Sequence, residues 1–401
     1  MKTTSKLKLI EFLDGLYFAT IITSLFAVSK GITLSQIVIA QGLYSLIIIV
    51  MEVPTGLIAD KFGRKFSMAL GYILNAVGII LFTFLPSVIN LYIMRFLQST
   101  GSALVSGANE ALLYEASKDE GLNYKKQISI LNSNSIIGLC IAGGIAGVAY
   151  QLFASRSFIP ILLLTALIQL IAFALSLTIK EKSLKSHISI VKKELRVFQL
   201  LTSSISLIRK NKTIFALTMF GMLAACNEYF VYQTYAPYFK DIGIANFWVA
   251  SSFSLGLLLN FFITRNIWKL EKYMTLEKAL ALSKMLAIIG YLGLALVTQS
   301  TFLIIILIST IGIFNIEKPI ISDFANQEID SHNRSTVLSG MSLVSRITKA
   351  ILTFIVAAII ARGSVTSGYL ISAIYLIFGT AIAYWLLVRC GCVRKVSHTT
   401  N

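Results

Sequence analysis

The stretch EVPTGLIADKFGRK, residues 52–65, follows directly on a long apolar run. It places a glutamate and a proline at the end of that run, and it then arranges Asp60, Gly63, Arg64 and Lys65 within six residues. Basic residues alone anchor a segment at a membrane surface, and they require no fixed spacing of glycine and aspartate. The stretch therefore predicts a specific charged turn between two apolar segments.

The composition of the chain indicates an integral membrane protein. Of its 401 residues, 56% are hydrophobic and only 13% are charged, whereas about a quarter of the residues in an average soluble domain are charged. The four cysteines, at positions 140, 226, 390 and 392, have no spacing typical of a metal site or a disulfide framework. A redox or lipidation role for the last two stays open beside the simpler interpretation of an incidental pair.

Hydrophobicity predicts twelve membrane spans, because each span needs about 20 mainly apolar residues. The first six cover residues 7–29, 34–59, 66–85, 88–116, 128–153 and 157–179. The second six cover residues 213–238, 244–264, 275–297, 300–321, 335–361 and 365–388. Span 1 is not predicted to be a cleavable signal peptide, because Glu11 and Asp14 interrupt it and no small-residue cleavage site follows.

The distribution of basic residues predicts the orientation of the chain. With the N-terminus inside, 26 of the 35 lysines and arginines fall in inside segments and four fall in outside loops. This bias satisfies the positive-inside rule with both termini in the cytoplasm. Topology therefore explains the net charge of +17, and no nucleic-acid partner is predicted.

The longest polar segment, residues 181–212, separates six spans from six. We therefore expect an N-terminal half over residues 1–180, a C-terminal half over 213–390 and a cytoplasmic tail over 391–401. Basic and apolar residues alternate at helical spacing within the central segment, which is typical of an amphipathic helix on the membrane surface. Two equal halves indicate an internal duplication, as in many transporters.

The charged turn resembles a known family signature. Gly56-x3-Asp60-x2-Gly63-Arg64-Lys65 is similar to the loop between helices 2 and 3 of the major facilitator superfamily, at the same place in a twelve-span chain. Residues 52–56 resemble the E-[IV]-P-T-G variant of a bacterial branch, and residues 334–339 resemble its R-[AS]-T-V-L-S signature. The resemblance implies an all-α membrane protein with two six-helix halves, acting as a monomeric secondary transporter in the bacterial inner membrane.

The resemblance also implies a role for the turn as a cytoplasmic gate. Gly56 would let span 2 approach a neighbouring helix closely, and Asp60 would face the positive N-terminal end of span 11, near Arg334. Arg64 would pair with a carboxylate at the cytoplasmic end of span 4, where Glu115, Asp119 and Glu120 lie. The alternative is that the basic residues only anchor the topology. The corresponding loop between spans 8 and 9 keeps the basic charge without the glycine and aspartate spacing.

Span 4 contains the clearest polar stripe. Its members recur at intervals of three and four residues and so share one helix face: Arg95, Ser99, Ser102, Ser106 and Asn109 or Glu110. We expect this face to line a central cavity, with Arg95 towards the external end. Intramembrane ionisable residues are costly, and they are functional candidates by default.

Buried carboxylates in other spans are the candidates for proton coupling. Span 11 carries Arg346 and Lys349 on one face, and Glu317 in span 10 and Glu228 in span 7 are the predicted anionic partners. Static ion pairs are the alternative, although such pairs contribute little stability over apolar packing. Glu110, Glu228 and Glu317 are the first candidates for the proton site, and Asp14 in span 1 is the next.

Span 7 indicates the character of the substrate. Tyr232 and Tyr235 lie on or near the face of Glu228, and an aromatic and amide lining suits an amphipathic or weakly cationic compound. Aromatic residues also form belts at membrane interfaces, which is the alternative. Span 5 carries Gly138, Gly143, Gly144 and Gly147, in a pattern that resembles a degraded form of the glycine-rich helix 5 of the family's antiporters.

These features predict proton-coupled efflux of an amphipathic small molecule by alternating access. Proton-linked uptake of a nutrient and a non-transporting sensor on the same fold are the alternatives. No Walker loop, nucleophile elbow or zinc spacing appears in the sequence, and the three histidines fall in predicted loops or tails. We therefore expect no enzymatic activity, no metal site and no cofactor.

Overall fold

The computed structural model describes residues 2–179, 181, 206–225, 228–270, 275–314, 316–317, 320–321, 324–325, 329 and 334–389. Every regular element in these ranges is a helix, as the sequence predicts. The amphipathic helix expected within residues 181–212 falls mainly on residues 182–205, which lie outside the described residues.

The helices follow the predicted spans closely. The first seven are α1 (Thr3–Gly15), α2 (Ala19–Ser29), α3 (Leu34–Phe62), α4 (Arg64–Phe84), α5 (Val88–Asp119), α6 (Tyr124–Phe153) and α7 (Phe158–Leu177). A short 3₁₀ turn, Ala154–Ser157, lies between the last two of these. The others are α8 (Lys212–Ala225), α9 (Glu228–Asp241), α10 (Asn246–Leu270), α11 (Leu276–Leu296), α12 (Ser300–Gly312), α13 (Arg334–Arg362) and α14 (Val365–Arg389).

Local capping fixes several of these boundaries. The side chain of Thr33 accepts a hydrogen bond from the Gln36 amide, and the Gln36 side chain accepts one from the Thr33 amide, which is a capping box at the start of α3. Ser87 and Asn123 accept hydrogen bonds from backbone amides three residues further on, at the starts of α5 and α6. Side-chain caps satisfy donors that a helix start leaves unpaired.

Span 1 differs from its prediction, because it is not one continuous helix. Residues 16–18 are not helical and divide it into α1 and α2. The amide of Tyr17 donates to the Gly15 carbonyl oxygen, and the amide of Phe18 donates to that of Leu16. These tight turns replace helical hydrogen bonds, and an apolar run read only for hydrophobicity carries no signal for them.

The described helices have the length and apolar character of membrane spans. Eight stretches qualify among the described residues, and one of them, Lys126–Leu177, covers both α6 and α7. Two shorter apolar stretches lie at Lys212–Leu223 and Ser300–Gly312. The helix α5 contains the polar stripe of span 4 and therefore has a lower hydrophobicity than its length suggests.

The chain forms two compact units. The first contains the described residues within 1–194 together with 232–254, and the second contains those within 195–231 and 255–401. The predicted division into halves of residues 1–180 and 213–390 stays a prediction, because this grouping reflects contacts and not sequence duplication.

Small residues bring helices of the first unit close together. A Cβ atom on Gly71 of α4 would lie 2.6 Å from the carbonyl oxygen of Gly101 on α5, and one on Gly101 would lie 2.6 Å from that of Gly71. The hydroxyl of Ser67 donates to the carbonyl oxygen of Leu104 over 2.8 Å. Small residues allow such backbone approach in lipid, where no hydrophobic force drives helices together.

The helix α6 lies equally close to α1. A Cβ atom on Gly138 would lie 2.6 Å from the carbonyl oxygen of Phe12, and one on Gly15 would collide with the backbone of Ser135. Gly138 belongs to the predicted glycine face of span 5, so the close packing expected of that face occurs here. The contact also fixes the end of α1, where the carboxylates of span 1 lie.

Candidate functional site

The charged turn of residues 52–65 contains a sharp backbone corner at Gly63. This residue separates α3 from α4 and has φ of 95° and ψ of 152°, a conformation that is essentially restricted to glycine. A Cβ atom at this position would also lie 2.9 Å from a carboxylate oxygen of Glu181. The glycine of the signature is therefore required both by the backbone and by a neighbouring side chain.

Glu181 caps the start of α4. Its carboxylate oxygens accept hydrogen bonds from the amides of Arg64 and Lys65, over 2.8 and 3.0 Å. A carboxylate at this position accepts hydrogen bonds from amides that the helix leaves unpaired. Its negative charge also interacts favourably with the positive end of the helix dipole. The sequence contains no local signal for this cap, because Glu181 lies more than a hundred positions away along the chain.

The side chain of Arg64 contacts the carboxylate of Glu115 on α5 over 2.5 Å. This is the pairing that the sequence predicts, and its function as a gate stays a prediction. Glu120, an alternative partner in that prediction, has another role: its carboxylate accepts hydrogen bonds from the amide and the hydroxyl of Thr4, at the start of α1. Carboxylates thus stabilise the first turns of both α1 and α4.

The other residues of the predicted gate are described only in part. Lys65 is half-buried and Asp60 is exposed near the end of α3. No described atom lies within 4 Å of a Cβ atom built on Gly56, so no described residue makes the close approach predicted there. Arg334 begins α13, but its side chain lies outside the described part, and the predicted contact with Asp60 stays untested.

The external part of the polar stripe on α5 forms a hydrogen-bonded network. The guanidinium of Arg95 is buried and donates to the amide oxygens of Gln98 and Gln233, over 3.1 and 3.2 Å. Gln98 in turn donates to the hydroxyl of Tyr17, which lies in the break of span 1. The predicted cavity cation is thus held among amide and phenol groups, and α9 supplies one of them.

The inner part of the stripe divides into buried and exposed members. Ser102 is half-buried and accepts a hydrogen bond from the hydroxyl of Tyr44 over 2.9 Å, and Ser106 is exposed. Asn109 is buried, whereas Glu110 is exposed. The position that the sequence left open between these two is therefore occupied by Asn109 inside the unit, and Glu110 is not the buried carboxylate that the sequence predicts.

A pair of carboxylates lies beside Asn109. The amide nitrogen of Asn109 donates to Glu11 over 2.7 Å, and the amide nitrogen of Gln169 on α7 donates to Asp14 over 2.9 Å. Glu11 and Asp14 are three residues apart on α1, a spacing that places both on one face of the helix. The two carboxylates interact electrostatically, so α1 presents two neighbouring acids to α5 and α7.

Further polar groups surround this pair. Ser135 on α6 lies beside Glu11, and Asn75 on α4 donates to the oxygen of Gln169 over 3.5 Å. Asp14 was among the candidates predicted from the sequence, whereas Glu11 was considered only as a residue that excludes a signal peptide. The interval of three residues between two acids in an apolar span is the signal that could have identified the pair.

The second unit contains a buried ion pair. Lys284 on α11 contacts Glu317 over 2.7 Å, and both side chains are at most 5% exposed. The sequence predicted Glu317 as a partner for Arg346 or Lys349, and Lys284 was not among the predicted partners. Arg346 is half-buried in α13, and Glu228 begins α9, but the side chain of Glu228 lies outside the described part.

The predicted aromatic lining is packed in this structure. Tyr232 and Tyr235 on α9 are buried, and the ring centroids of Tyr232 and Phe253 are 4.9 Å apart in an edge-to-face arrangement. The ring of Tyr235 stacks on Phe253 and meets Phe239 edge to face. These contacts support a packing role in the described conformation, and a role in lining a cavity stays a prediction.

The glycine face of α6 continues along α10. A Cβ atom on Gly147 would lie 2.7 Å from the hydroxyl oxygen of Ser251, and one on Gly143 would collide with that of Ser254. At the end of α6, the amide oxygen of Gln151 accepts a hydrogen bond from the amide of Phe247 over 2.8 Å. The contacts run antiparallel along the two helices, and Gly144 faces no described atom within 4 Å.

The fold is that of a polytopic helical membrane protein. Residues 8–353 match the sequence model of the Major Facilitator Superfamily, and the chain belongs to this family, whose members are transporters and not enzymes. Among curated proteins, the chain is similar to the MFS-type transporter YxaM of Bacillus subtilis (strain 168), with 21% identity over 361 residues, or 88% of each chain.

Solved structures agree with this assignment. The crystal structure of the nucleoside transporter NupG matches with a TM-score of 0.75 and 15% identity, over 96% of this chain and 99% of that one. The crystal structure of a D-xylose-proton symporter matches with a TM-score of 0.75 and 13% identity, over 99% of both chains. The protein is therefore a multi-pass membrane protein with the fold of about twelve transmembrane helices predicted from its sequence.

Proposed function

We propose that this secondary transporter couples the movement of a small molecule to protons, and that Glu11 and Asp14 exchange the protons. The observation that carries the proposal is the pair of half-buried carboxylates on α1, each of which accepts a hydrogen bond from a buried amide side chain. The described side chains that donate hydrogen bonds to the pair, Asn109 and Gln169, are neutral. Two neighbouring anions in such a place favour protonation of at least one of them.

The transport cycle gives this pair its function. Loss of water and a neighbouring anion both disfavour the charged form of a carboxylate. The carboxylate therefore holds its proton while the site is closed and releases it when water reaches the site. Glu11 lies within electrostatic range of Glu110, which is exposed. We therefore assign Glu110 to the solvent-exposed part of the proton route and not to the proton site itself.

Glu317 is a weaker candidate for the proton site than the sequence predicted. Its carboxylate is hydrogen-bonded to the ammonium of Lys284 in a buried pair, and an adjacent cation stabilises the charged form of a carboxylate. Glu228 stays a candidate, since its side chain lies outside the described part. Arg346 stays a candidate for a charge in the cavity, as the sequence predicts.

The turn at residues 52–65 serves as the cytoplasmic gate in this proposal. The Glu181 cap and the contact between Arg64 and Glu115 hold the start of α4 against the end of α5. A rigid turn of this kind presents Asp60 at a fixed place, where a partner can bind it in one state of the cycle and release it in the other.

The proposed cargo is an amphipathic compound, and the proposed direction is efflux across the bacterial inner membrane. Arg95 with Gln98 and Gln233 supplies a polar subsite, and the aromatic residues near Tyr232 supply an apolar one. The close packing of Gly138 and Gly147 supports the resemblance of this helix to the glycine-rich helix of antiporters. Uptake of a nutrient and a sensor without transport are outcomes that the experiment below distinguishes.

The test uses everted membrane vesicles with an imposed proton gradient and a pH-sensitive dye. Lipophilic cations, amino acids, sugars and siderophore-like anions are added in turn to vesicles that contain the wild type. We expect one class to dissipate the gradient in the wild type and to have no effect in Asp14→Asn or Glu11→Gln. The matched control is Asp241→Asn, which removes an exposed carboxylate at the end of α9 and should behave as the wild type.

Each other result has a definite meaning. A response that survives both Asp14→Asn and Glu11→Gln would contradict the assignment of the proton site. If no class dissipates the gradient but labelled substrate accumulates in right-side-out vesicles, the direction is uptake. If neither vesicle preparation transports any class of compound, and if Asp60→Asn has no phenotype in cells, the protein is better explained as a sensor without transport.

A further inference from the structure

We propose that the cluster around Glu11 and Asp14 is also a binding site for an alkali cation, Na⁺ in the first instance, which competes with protons. This inference rests on the proposed function and names a second coupling ion for the same pair. Three independent features of the described structure carry it: oxygen atoms without partners, the break in span 1 and the charge balance of the cluster.

The first feature is a set of buried oxygen atoms that have no described hydrogen-bond partner. The hydroxyl of Tyr72 and the amide oxygen of Asn109 both belong to it, and both side chains are more than nine-tenths buried. Asn109 donates through its nitrogen to Glu11, so its oxygen belongs to the amide group that contacts this carboxylate. Tyr72 interacts electrostatically with both Asp14 and Glu11.

Buried oxygens of this kind are rare in folded proteins and require an explanation. A water molecule or a cation among them would satisfy the lone pairs, and the two carboxylates decide between these ligands. A cation neutralises charge as well as accepting the lone pairs, whereas a water molecule leaves both anions uncompensated. The cluster offers oxygen atoms only, which hard cations prefer over other ligands.

The second feature is the position of the pair at the end of α1. This helix ends at Gly15, and residues 16–18 are not helical. The C-terminal end of a helix carries a partial negative charge and carbonyl groups without helical partners. Discontinuous helices of this type form the coupling-ion sites of several transporter folds, where their C-terminal ends coordinate Na⁺ or bind protons.

The third feature is the charge balance of the cluster. Among the described residues, the titratable groups that interact electrostatically with the pair are Tyr17 in the break of span 1, Tyr72 on α4 and Glu110 on α5. The helices α6 and α7 contribute Ser135 and Gln169, which are neutral. Arg95 lies within electrostatic range of Tyr17 and is not among the groups that act on Glu11 or Asp14.

The ligand set points to an alkali cation over a transition metal. Among the described residues, no group of three or more histidine, cysteine, aspartate or glutamate side chains could hold a metal ion. Two carboxylates with neutral amide and phenol oxygens form a set of hard ligands that carries little negative charge. The carboxylates must be deprotonated to bind the cation, so binding should weaken as the pH falls.

The test measures binding of radioactive ²²Na⁺ to the purified full-length protein in detergent. We expect saturable binding that unlabelled Na⁺ displaces, and that falls about tenfold or more in affinity in Glu11→Gln and Asp14→Asn. Tyr72→Phe removes one oxygen ligand and should weaken binding severalfold. The matched control is Tyr150→Phe, which removes the hydroxyl of another fully buried tyrosine, one that stacks on Phe158, and should bind as the wild type.

Binding by the wild type at two pH values keeps the test independent of whether the variants fold. Weaker binding at the lower pH supports competition with protons at one site. The proposal is overturned if the wild type binds no ²²Na⁺, if Glu11→Gln and Asp14→Asn bind as the wild type, or if Ca²⁺ displaces the label at a lower concentration than Na⁺ does.

These outcomes are separate from those of the proposed function. If substrate dissipates a proton gradient through Asp14 but no ²²Na⁺ binds, the proton-coupled function stands and the sodium site fails. If ²²Na⁺ binds and no substrate moves protons, the cation site stands and proton coupling fails.

Discussion

At the scale of single residues, several charged side chains of this protein have a defined structural partner. Glu181 and Glu120 cap the starts of two helices, Arg64 meets Glu115, and Lys284 meets Glu317. The family signature predicted that Arg64 pairs with a carboxylate at the end of span 4, and it left Glu115, Asp119 and Glu120 open as the partner. Sequence patterns did not predict the caps or the Lys284 pair, because no signature links those residues to their partners.

The backbone corner at Gly63 allows a comparison with Gly56. We expect Gly63→Ala to lower the free energy of unfolding by about 1–3 kcal/mol, because the alanine would adopt a conformation that only glycine tolerates. Gly56→Ala should leave stability unchanged or raise it by up to about 1 kcal/mol, because alanine favours a helix interior. Thermal unfolding in detergent measures both variants. A clear loss of stability at Gly56→Ala would instead support the close helix approach predicted from the sequence.

The pair formed by Lys284 and Glu317 should show the asymmetry of a buried ion pair. Removing one partner, as in Glu317→Gln or Lys284→Met, leaves an uncompensated buried charge or donor and should cost about 3–5 kcal/mol of stability. The double variant Lys284→Met with Glu317→Met should be nearly as stable as the wild type. Thermal unfolding of the three proteins checks this. If the two residues act separately, the loss in the double variant will instead approach the sum of the two single losses.

At the scale of elements, close packing of helices depends on glycines at defined positions of α6. Gly138 meets the backbone of α1, whereas Gly144 of the same helix faces no described atom within 4 Å. The sequence predicted a packed glycine face but could not say which glycine contacts which helix. That assignment depends on the rotation of α6 about its axis, and the helical period alone does not determine it.

These two glycines give a matched pair of variants. Gly138→Ala should lower the melting temperature, because the added methyl group would lie 2.6 Å from the Phe12 carbonyl oxygen and would force α1 and α6 apart. Gly144→Ala should keep or raise the melting temperature, because it gains helix propensity at no steric cost. If both variants lose stability equally, the contact between α6 and α1 does not decide the packing of this helix.

At the scale of the whole molecule, the sequence predicted the class and the order of the helices well. Twelve apolar segments and the charge bias contain this information redundantly, so no single misread residue would change it. The candidate site was predicted less completely. Asp14 was identified, but Glu11 was missed, and Glu110 was given a buried position that Asn109 occupies. Adjacent residues on a helix point about 100° apart, and the spacing of a polar stripe in the sequence does not distinguish Asn109 from Glu110.

The predicted orientation is open to direct measurement. A single cysteine placed at Lys30 should react with a membrane-impermeant maleimide in intact cells, because the charge bias places this residue outside. A single cysteine at Lys61 should react only after the membrane is opened. Both positions are exposed in the structure, so access to the label depends on the membrane alone. The native cysteines are first replaced by serine, and the opposite labelling pattern would reverse the topology.

The break in span 1 also has a consequence for biosynthesis. The helices α1 and α2 contain 13 and 11 residues, and a segment needs about 20 residues to cross the bilayer. Neither can be inserted alone, so the translocon must accept them together, with Glu11 and Asp14 still lacking Asn109 and Gln169, which have not yet been synthesised. The first span of the nascent chain therefore enters the membrane before its carboxylates have partners, and it reaches its final state only when α7 has emerged from the ribosome.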